Sequence, residues 1–192
     1  MRASPAEYLT LPLRAHELMR DVPLYDVSTV DLPGGGAGRT IADVRAIEAS
    51  AKPSRVANTL YEIRCFLGRV FGWDRVQMRP EDSLASRLTE RDRRDSEVAP
   101  GTADGSFRVL YQFPREALSE IRNATVQGYV CLALSPIASG YRLFFAVYVR
   151  RVSWVSRPYL IMIEPFRRFL LYPAMFRRIR RAWLTKYGQS FA

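Results

Sequence analysis

The C-terminal segment from Ser156 to Gly188 is the feature that most limits what this chain can fold into. It holds no run of polar turn residues. Pro165, Phe169, Tyr172, Phe176, Ile179 and Trp183 recur at spacings of three and four, which lays one apolar stripe along a helix. Arg167, Arg177, Arg178 and Arg181 fall mostly on the other side. A long helix with one apolar face needs a large apolar partner, and only the strands that precede it are of that size. Arg157 and Pro158 open the pattern, since proline is tolerated in a first turn. Pro165 and Pro173 lie inside it and predict a kink, or a short helix followed by the main one.

The partner strands read as a consecutive meander. FRVLYQF from Phe107, Ala117 to Asn123, Val126 to Leu134 and Tyr141 to Val152 are rich in Val, Tyr and Phe. Short connections such as PRE and SPIASG join them, which implies antiparallel hairpins rather than βαβ units. Upstream, Leu24 to Leu32 alternates and stops at Pro33, giving a first strand. Gly34, Gly35, Gly36 and Gly38 form a loop into a helix from Ile41 to Ala49, with Thr40 and Asp43 spaced as a capping box. The loop lacks a Gly-Lys-Ser/Thr ending and a GxGxxG register, so it reads as a connection rather than a nucleotide cradle. Pro53 or Ser54 opens a second helix through Phe71, stopped by Gly72. Residues 75–105, including RLTERDRRDSE, read as a solvated loop with room for one short strand. Pro12 opens a short helix to Met19 within an N-terminal arm. The division expected is an arm over 1–20, one domain over 21–188 and a tail over 189–192.

Charge is local. Residues 150–192 carry 10 basic residues and one acid, a balance of +9, whereas the first 149 residues carry 19 basic and 18 acidic groups, a balance of +1. A helix this basic is a solvated face, a contact for an anionic membrane surface, or a nucleic-acid contact. No zinc-finger spacing, helix-turn-helix pattern or ribonucleoprotein strand motif supports the last, so nucleic acid is the least favoured partner. Cys65 and Cys131 lie in apolar surroundings without metal-type spacing and read as reduced core residues. The single histidine, His16, argues against His-rich metal sites and a Ser-His relay. No metal or cofactor is expected. The N-terminus lacks the apolar core of a signal peptide and no run reaches about 18 apolar residues, so the chain reads as soluble and cytoplasmic.

A twisted meander curls and its concave face must be covered; a helix of about 20 residues spans roughly 30 Å, enough to cross such a sheet. In this order of elements the chain resembles the START-like, or Bet v 1-like (SRPBCC), helix-grip superfamily. It is more closely similar to a bacterial family of uncharacterised helix-grip proteins. The resemblance rests on DLPGGGAGRT at Asp31–Thr40, LGRVFGW at Leu67–Trp73, EIRNATV at Glu120–Val126 and PFRRFLLYPAMFRRIRRAW at Pro165–Trp183, and it covers about residues 24–187. It implies an α+β helix-grip fold: a curved antiparallel sheet wrapped around a long C-terminal helix, with two helices after the first strand.

The resemblance also implies a cavity between sheet and C-terminal helix for an apolar ligand. Tyr129, Phe144, Phe145, Tyr148, Phe169 and Tyr172 are candidates to line it, or simply to fill it as core. Arg168 falls on or near the apolar stripe, and Arg122 shares a strand face with Glu120. An inward arginine must be paired, and Glu164 or Glu120 could serve, either as a structural ion pair or as an anchor for a ligand carboxylate or phenolate. Three functions stay open: binding of a small hydrophobic molecule, neutral or anionic; cyclase or aromatase-like catalysis on the same fold, the less favoured since no further motif supports an enzyme; and docking to an anionic membrane or a partner through the basic helix.

Overall fold

A computed structural model describes residues 5–50, 83–122, 126–151, 164–165 and 167–188, with the side chains of Arg122, Val126, Arg151 and Arg167 left aside. The second expected helix, over 54–71, lies outside the described residues, as do Cys65, Arg157 and Pro158. In chain order the elements are α1 (Pro5–Leu9), α2 (Arg14–Leu18), β1 (Leu24–Pro33), α3 (Ile41–Ser50), a 3-10 turn (Leu84–Arg87) and α4 (Glu90–Asp95). They continue with β2 (Ala103–Asp104), β3 (Phe107–Gln112), β4 (Glu116–Arg122), β5 (Val126–Ile137), β6 (Gly140–Arg151), a π-helical turn (Arg167–Leu171) and α5 (Tyr172–Tyr187). The fold is α+β in a helix-grip arrangement.

The strands form one curved, antiparallel, six-stranded sheet in the order β1-β6-β5-β4-β3-β2. The meander is as expected from the short connections, and β1 returns to pair with β6 from Leu24 opposite Tyr148 to Pro33 opposite Gly140. β5 runs three residues past its expected end, through Ser135–Ile137, and turns back in two residues; the pairing continues to Ile137 opposite Gly140. A proline near a strand end can stay paired on its carbonyl side, which is why SPI joins the strand rather than the turn.

The central strands are apolar on alternate residues in both directions, so the sheet has two core faces. On one face Tyr129, Cys131 and Ala133 of β5 and Phe144, Ala146 and Tyr148 of β6 pack with Tyr8, Ala15, Leu18, Met19 and Val22. The N-terminal arm is therefore part of the core. On the other face Leu134, Tyr141 and Leu143 pack with Ile41, Val44 and Ile47 of α3 and with Ile179, Trp183 and Tyr187 of α5. Antiparallel sheets often leave one face to water; here residues of the arm and of α5 pack on opposite faces.

The apolar stripe of the C-terminal segment holds from Tyr172 onward: Tyr172, Phe176, Ile179, Trp183 and Tyr187 are buried. Pro173 sits in the first turn of α5, where its fixed φ suits the helix. The π-helical turn before it resolves the proline ambiguity as a short irregular turn followed by the main helix. Within residues 83–95 the structure departs from the expected loop. α4 forms there because Thr89 accepts from the Asp92 N–H while the Asp92 carboxylate accepts from the Thr89 N–H, a complete capping box.

The glycine loop is a packing device. Trp183 donates from Nε1 to the Pro33 carbonyl at 3.1 Å, and a Cβ on Gly35 would stand 2.8 Å from the Trp183 ring. The Tyr141 hydroxyl donates to the Gly36 carbonyl at 2.9 Å and accepts from the Arg39 N–H at 3.1 Å. At the strand turn, Gly140 has φ 140°, and a Cβ there would lie 2.7 and 2.8 Å from the backbone N and O of Gly34. Gly140→Ala is expected to lower the unfolding free energy by about 2–4 kcal/mol in urea titrations. Gly105→Ala, at φ 59° with open space around it, should cost only about 1 kcal/mol. Equal losses would show that backbone crowding at Gly140 is not the constraint.

Candidate functional site

The sheet face beneath the N-terminal arm concentrates the buried polar chemistry. Cross-strand register sets Glu120 of β4 opposite Tyr129 of β5, and Tyr129 opposite Tyr148 of β6, so these three form one row across the sheet. The next row on the same face contains Leu118, Cys131, Ala146 and Val27. In β3 the register shifts between Val109 and Tyr111, which brings both Leu110 and Tyr111 into this core. Tyr8 of α1 closes the layer from above, and the Tyr148 hydroxyl bonds to the Tyr8 hydroxyl at 3.0 Å.

The arm is held by carboxylates. Glu116 of β4 accepts from the Arg14 N–H at 2.8 Å and the Ala15 N–H at 3.4 Å, placing negative charge at the start of α2. The Arg14 guanidinium spans to Asp92, with Nε 3.1 Å from Oδ1 and Nη2 2.9 Å from Oδ2, and also reaches Glu17. Glu120, 2% exposed, accepts from the Ser83 hydroxyl and from the Leu84 N–H at 3.2 Å. His16 lies against Tyr8, ring centroids 4.9 Å apart, and its Nε2 is 3.2 Å from the Tyr8 carbonyl. It is a packing residue of the arm.

Two groups stand out against this complete satisfaction. The Tyr129 hydroxyl is buried with no hydrogen-bond partner among the described residues, and the Tyr111 hydroxyl, equally buried, lies beside the Glu116 carboxyl; both residues are 0% exposed. Burial pushes the Tyr129 and Tyr148 phenols and the Cys131 thiol each up to about 12, and raises Tyr8 and Tyr111 well above the ordinary phenol value. All five groups stay protonated at neutral pH, so the layer offers neutral O–H donors and an inert thiol.

The candidates read from sequence are thus divided. Tyr129 and Tyr148 meet on the arm face, where they cannot face α5. Phe145 and Tyr172 meet on the opposite face, ring centroids 5.4 Å apart, with Phe176 beside them at 6.2 Å from Phe145. Phe169 points to solvent at 69% exposure, and Arg168 is exposed with its guanidinium 5.6 Å from the Phe169 ring. Their expected inward placement came from a wheel of 100° per residue, and a π turn packs more residues per turn and shifts that phase. Arg178, expected on the free side, is half-buried 3.6 Å from Glu48. Glu164 is half-buried before the π turn, and the Arg122 side chain lies outside the described residues. Tyr8, Tyr111 and Glu116 went unnoticed in sequence: Tyr8 sits in a five-residue helix without periodicity, and Tyr111 reaches this face only through the β3 irregularity. Among the described residues no cluster of His, Cys, Asp and Glu stands ready for a metal ion.

Glu120 yields a test by titration. Burial, the largest influence, pushes its carboxyl above the ordinary 4.5, against the opposing bonds from Ser83 and Leu84. The folded state then holds the proton more tightly than the unfolded chain. Its stabilising contribution is complete below pH 4.5 and falls as pH rises through the raised value. Glu120→Gln should therefore gain in Tm relative to wild type between pH 4.5 and neutrality. A difference in Tm that stays constant over that range would remove the carboxyl from the account.

Residues 18–174 match the model of a family described as a protein of unknown function (DUF2867), well over half of the chain. No curated protein matches it.

Proposed function

The chain belongs to this family of proteins of unknown function, and we propose that it binds a small, mostly apolar molecule through a neutral oxygen acceptor, held against the tyrosine face of the sheet beneath the N-terminal arm. The observation that carries the reading is the fully buried Tyr129 hydroxyl, which has no hydrogen-bond partner among the described residues, with the buried Tyr111 hydroxyl on the same face. A buried hydroxyl without a partner costs about 1–3 kcal/mol, and a bound acceptor within reach of Tyr129 would recover that cost. The surroundings, among them Leu118, Cys131, Phe144 and Ala146, favour an apolar body for the rest of the molecule.

The electrostatics favour a carbonyl over a carboxylate. Glu120 stands across from Tyr129, and Glu116 acts on Tyr111, so an added negative charge would meet two buried acids. Arg87 and Arg150, the cations that act on Tyr129, are both engaged by Asp21. The helix-grip arrangement supports placing the family near the START-like, Bet v 1-like superfamily, whose usual cavity lies under the C-terminal helix. In this chain Tyr172, Phe176, Ile179 and Trp183 occupy that seam, so the proposed site is on the other face. A cyclase-like reading would use the Tyr129–Glu120 pair as proton donor and acceptor. The Glu120 carboxyl is already engaged by the Ser83 hydroxyl and the Leu84 N–H, which favours binding over turnover.

Native mass spectrometry of the full chain purified from its own host, with Tyr129→Phe in parallel, tests the proposal. A retained small molecule that binds the variant about tenfold or more weakly is expected, with the apo variant as stable as wild type or more so. An apo mass together with a clear loss of stability in the variant would assign the hydroxyl to an internal water and end the reading.

A further inference from the structure

The described surface shows three large hydrophobic side chains, and two of them are neighbours: Phe169 at 69% and Leu170 at 46% exposure, with Leu9 at 56% on α1. Phe169 and Leu170 sit on the π turn that leads into α5, within the most basic part of the chain, the 43 residues that carry +9. Arg168 beside them is exposed, as are Arg177, Arg180 and Arg181 on the outward side of α5. Glu48 engages Arg178, and Asp31 lies within electrostatic reach of Arg180. Arg177 and Arg181 have no ion-pair partner among the described residues.

We propose that the Phe169–Leu170 tip and the outward arginines of α5 form a docking surface for an anionic lipid membrane. The inner stripe of α5, from Tyr172 to Tyr187, is committed to the sheet, and among the described residues no helix is long and apolar enough to cross a membrane. Attachment is therefore shallow. Two apolar side chains enter the headgroup boundary while Arg168, Arg177 and Arg181 meet lipid phosphates and carboxylates. Charge complementarity selects the occupant: an uncharged apolar partner would use the tip and ignore the arginines. A nucleic acid would use the arginines and gain little from Leu170. This surface lies on the α5 side and is independent of the tyrosine face.

Co-sedimentation of the full chain with phosphatidylcholine vesicles, and with phosphatidylcholine–phosphatidylserine vesicles, tests it. The expected result is binding to the anionic vesicles only, weakening as salt is raised. Phe169→Ser with Leu170→Ser, and separately Arg177→Gln with Arg181→Gln, should each weaken it by about tenfold. All four positions are on the surface, so unchanged thermal melts are expected, and the salt titration of wild type stands without any variant. Equal binding to neutral and anionic vesicles, or none to either, overturns the proposal. So does wild-type affinity for the anionic vesicles in both double variants.

Discussion

Everything in this structure follows from two central strands that are apolar on both sides. β5 and β6 present Tyr129, Cys131, Ala133, Phe144, Ala146 and Tyr148 to one side, and Leu134, Tyr141 and Leu143 to the other. A sheet of this kind cannot leave a face to water, so the chain brings a separate element to each. Polar pins then fix each element where burial alone would let it slide. Glu116 caps α2 and Arg14 ties it to Asp92 on the arm side. On the other side the Trp183 N–H reaches the Pro33 carbonyl and the Tyr187 hydroxyl donates to Asp43 at 2.9 Å. Asp43 also accepts from the Thr40 N–H, so one carboxylate starts α3 and anchors the end of α5.

Period-two patterning made the strands legible, because side-chain alternation is a local property that survives without knowledge of the partner. The same patterning says which residues share a face but not which element covers it. Sequence alone therefore gathers the aromatic residues of β5 and β6 into one seam under the C-terminal helix, although adjacent residues such as Tyr148 and Val149 must point to opposite sides. α4 was hidden because its six residues, ERDRRD, are charged all round, and its only signal is the Thr89–Asp92 cap. The π turn was invisible for a different reason: it changes the number of residues per turn, and every position N-terminal to Tyr172 slips out of the phase that Trp183 and Phe176 define.

The distribution of satisfied and unsatisfied groups on the arm face has an energetic logic. Glu116 and Glu120 are buried and each carries two donors, since a bare buried carboxylate would be far more costly than a bare phenol. Among the described residues of this face the Tyr129 phenol is where a donor is left open. Such a donor costs about 1–3 kcal/mol, a real share of the roughly 5–15 kcal/mol that keeps a domain folded. A side chain that only filled space would do so more cheaply as phenylalanine, and the chain uses phenylalanine freely nearby at Phe113 and Phe144.

The tyrosine face and the arginine–phenylalanine surface are separated by the thickness of the sheet and by the sense of its alternation. Phe145 carries the start of α5 through Tyr172 and Phe176, while Phe144 and Ala146 on either side of it belong to the layer under Tyr8. The two sites share a strand but no side chain, so changes at one should add to changes at the other rather than couple. The arm is held on the tyrosine layer by Glu116 at Arg14, by Arg14 on Asp92 and by Tyr8 on Tyr148, none of which touches the seam that Trp183 closes. α5 reaches further into the sheet's connections. Trp183 packs into the glycine loop beside Gly34, against which the β5–β6 turn closes, so loosening the helix would loosen the hairpin on which both faces depend.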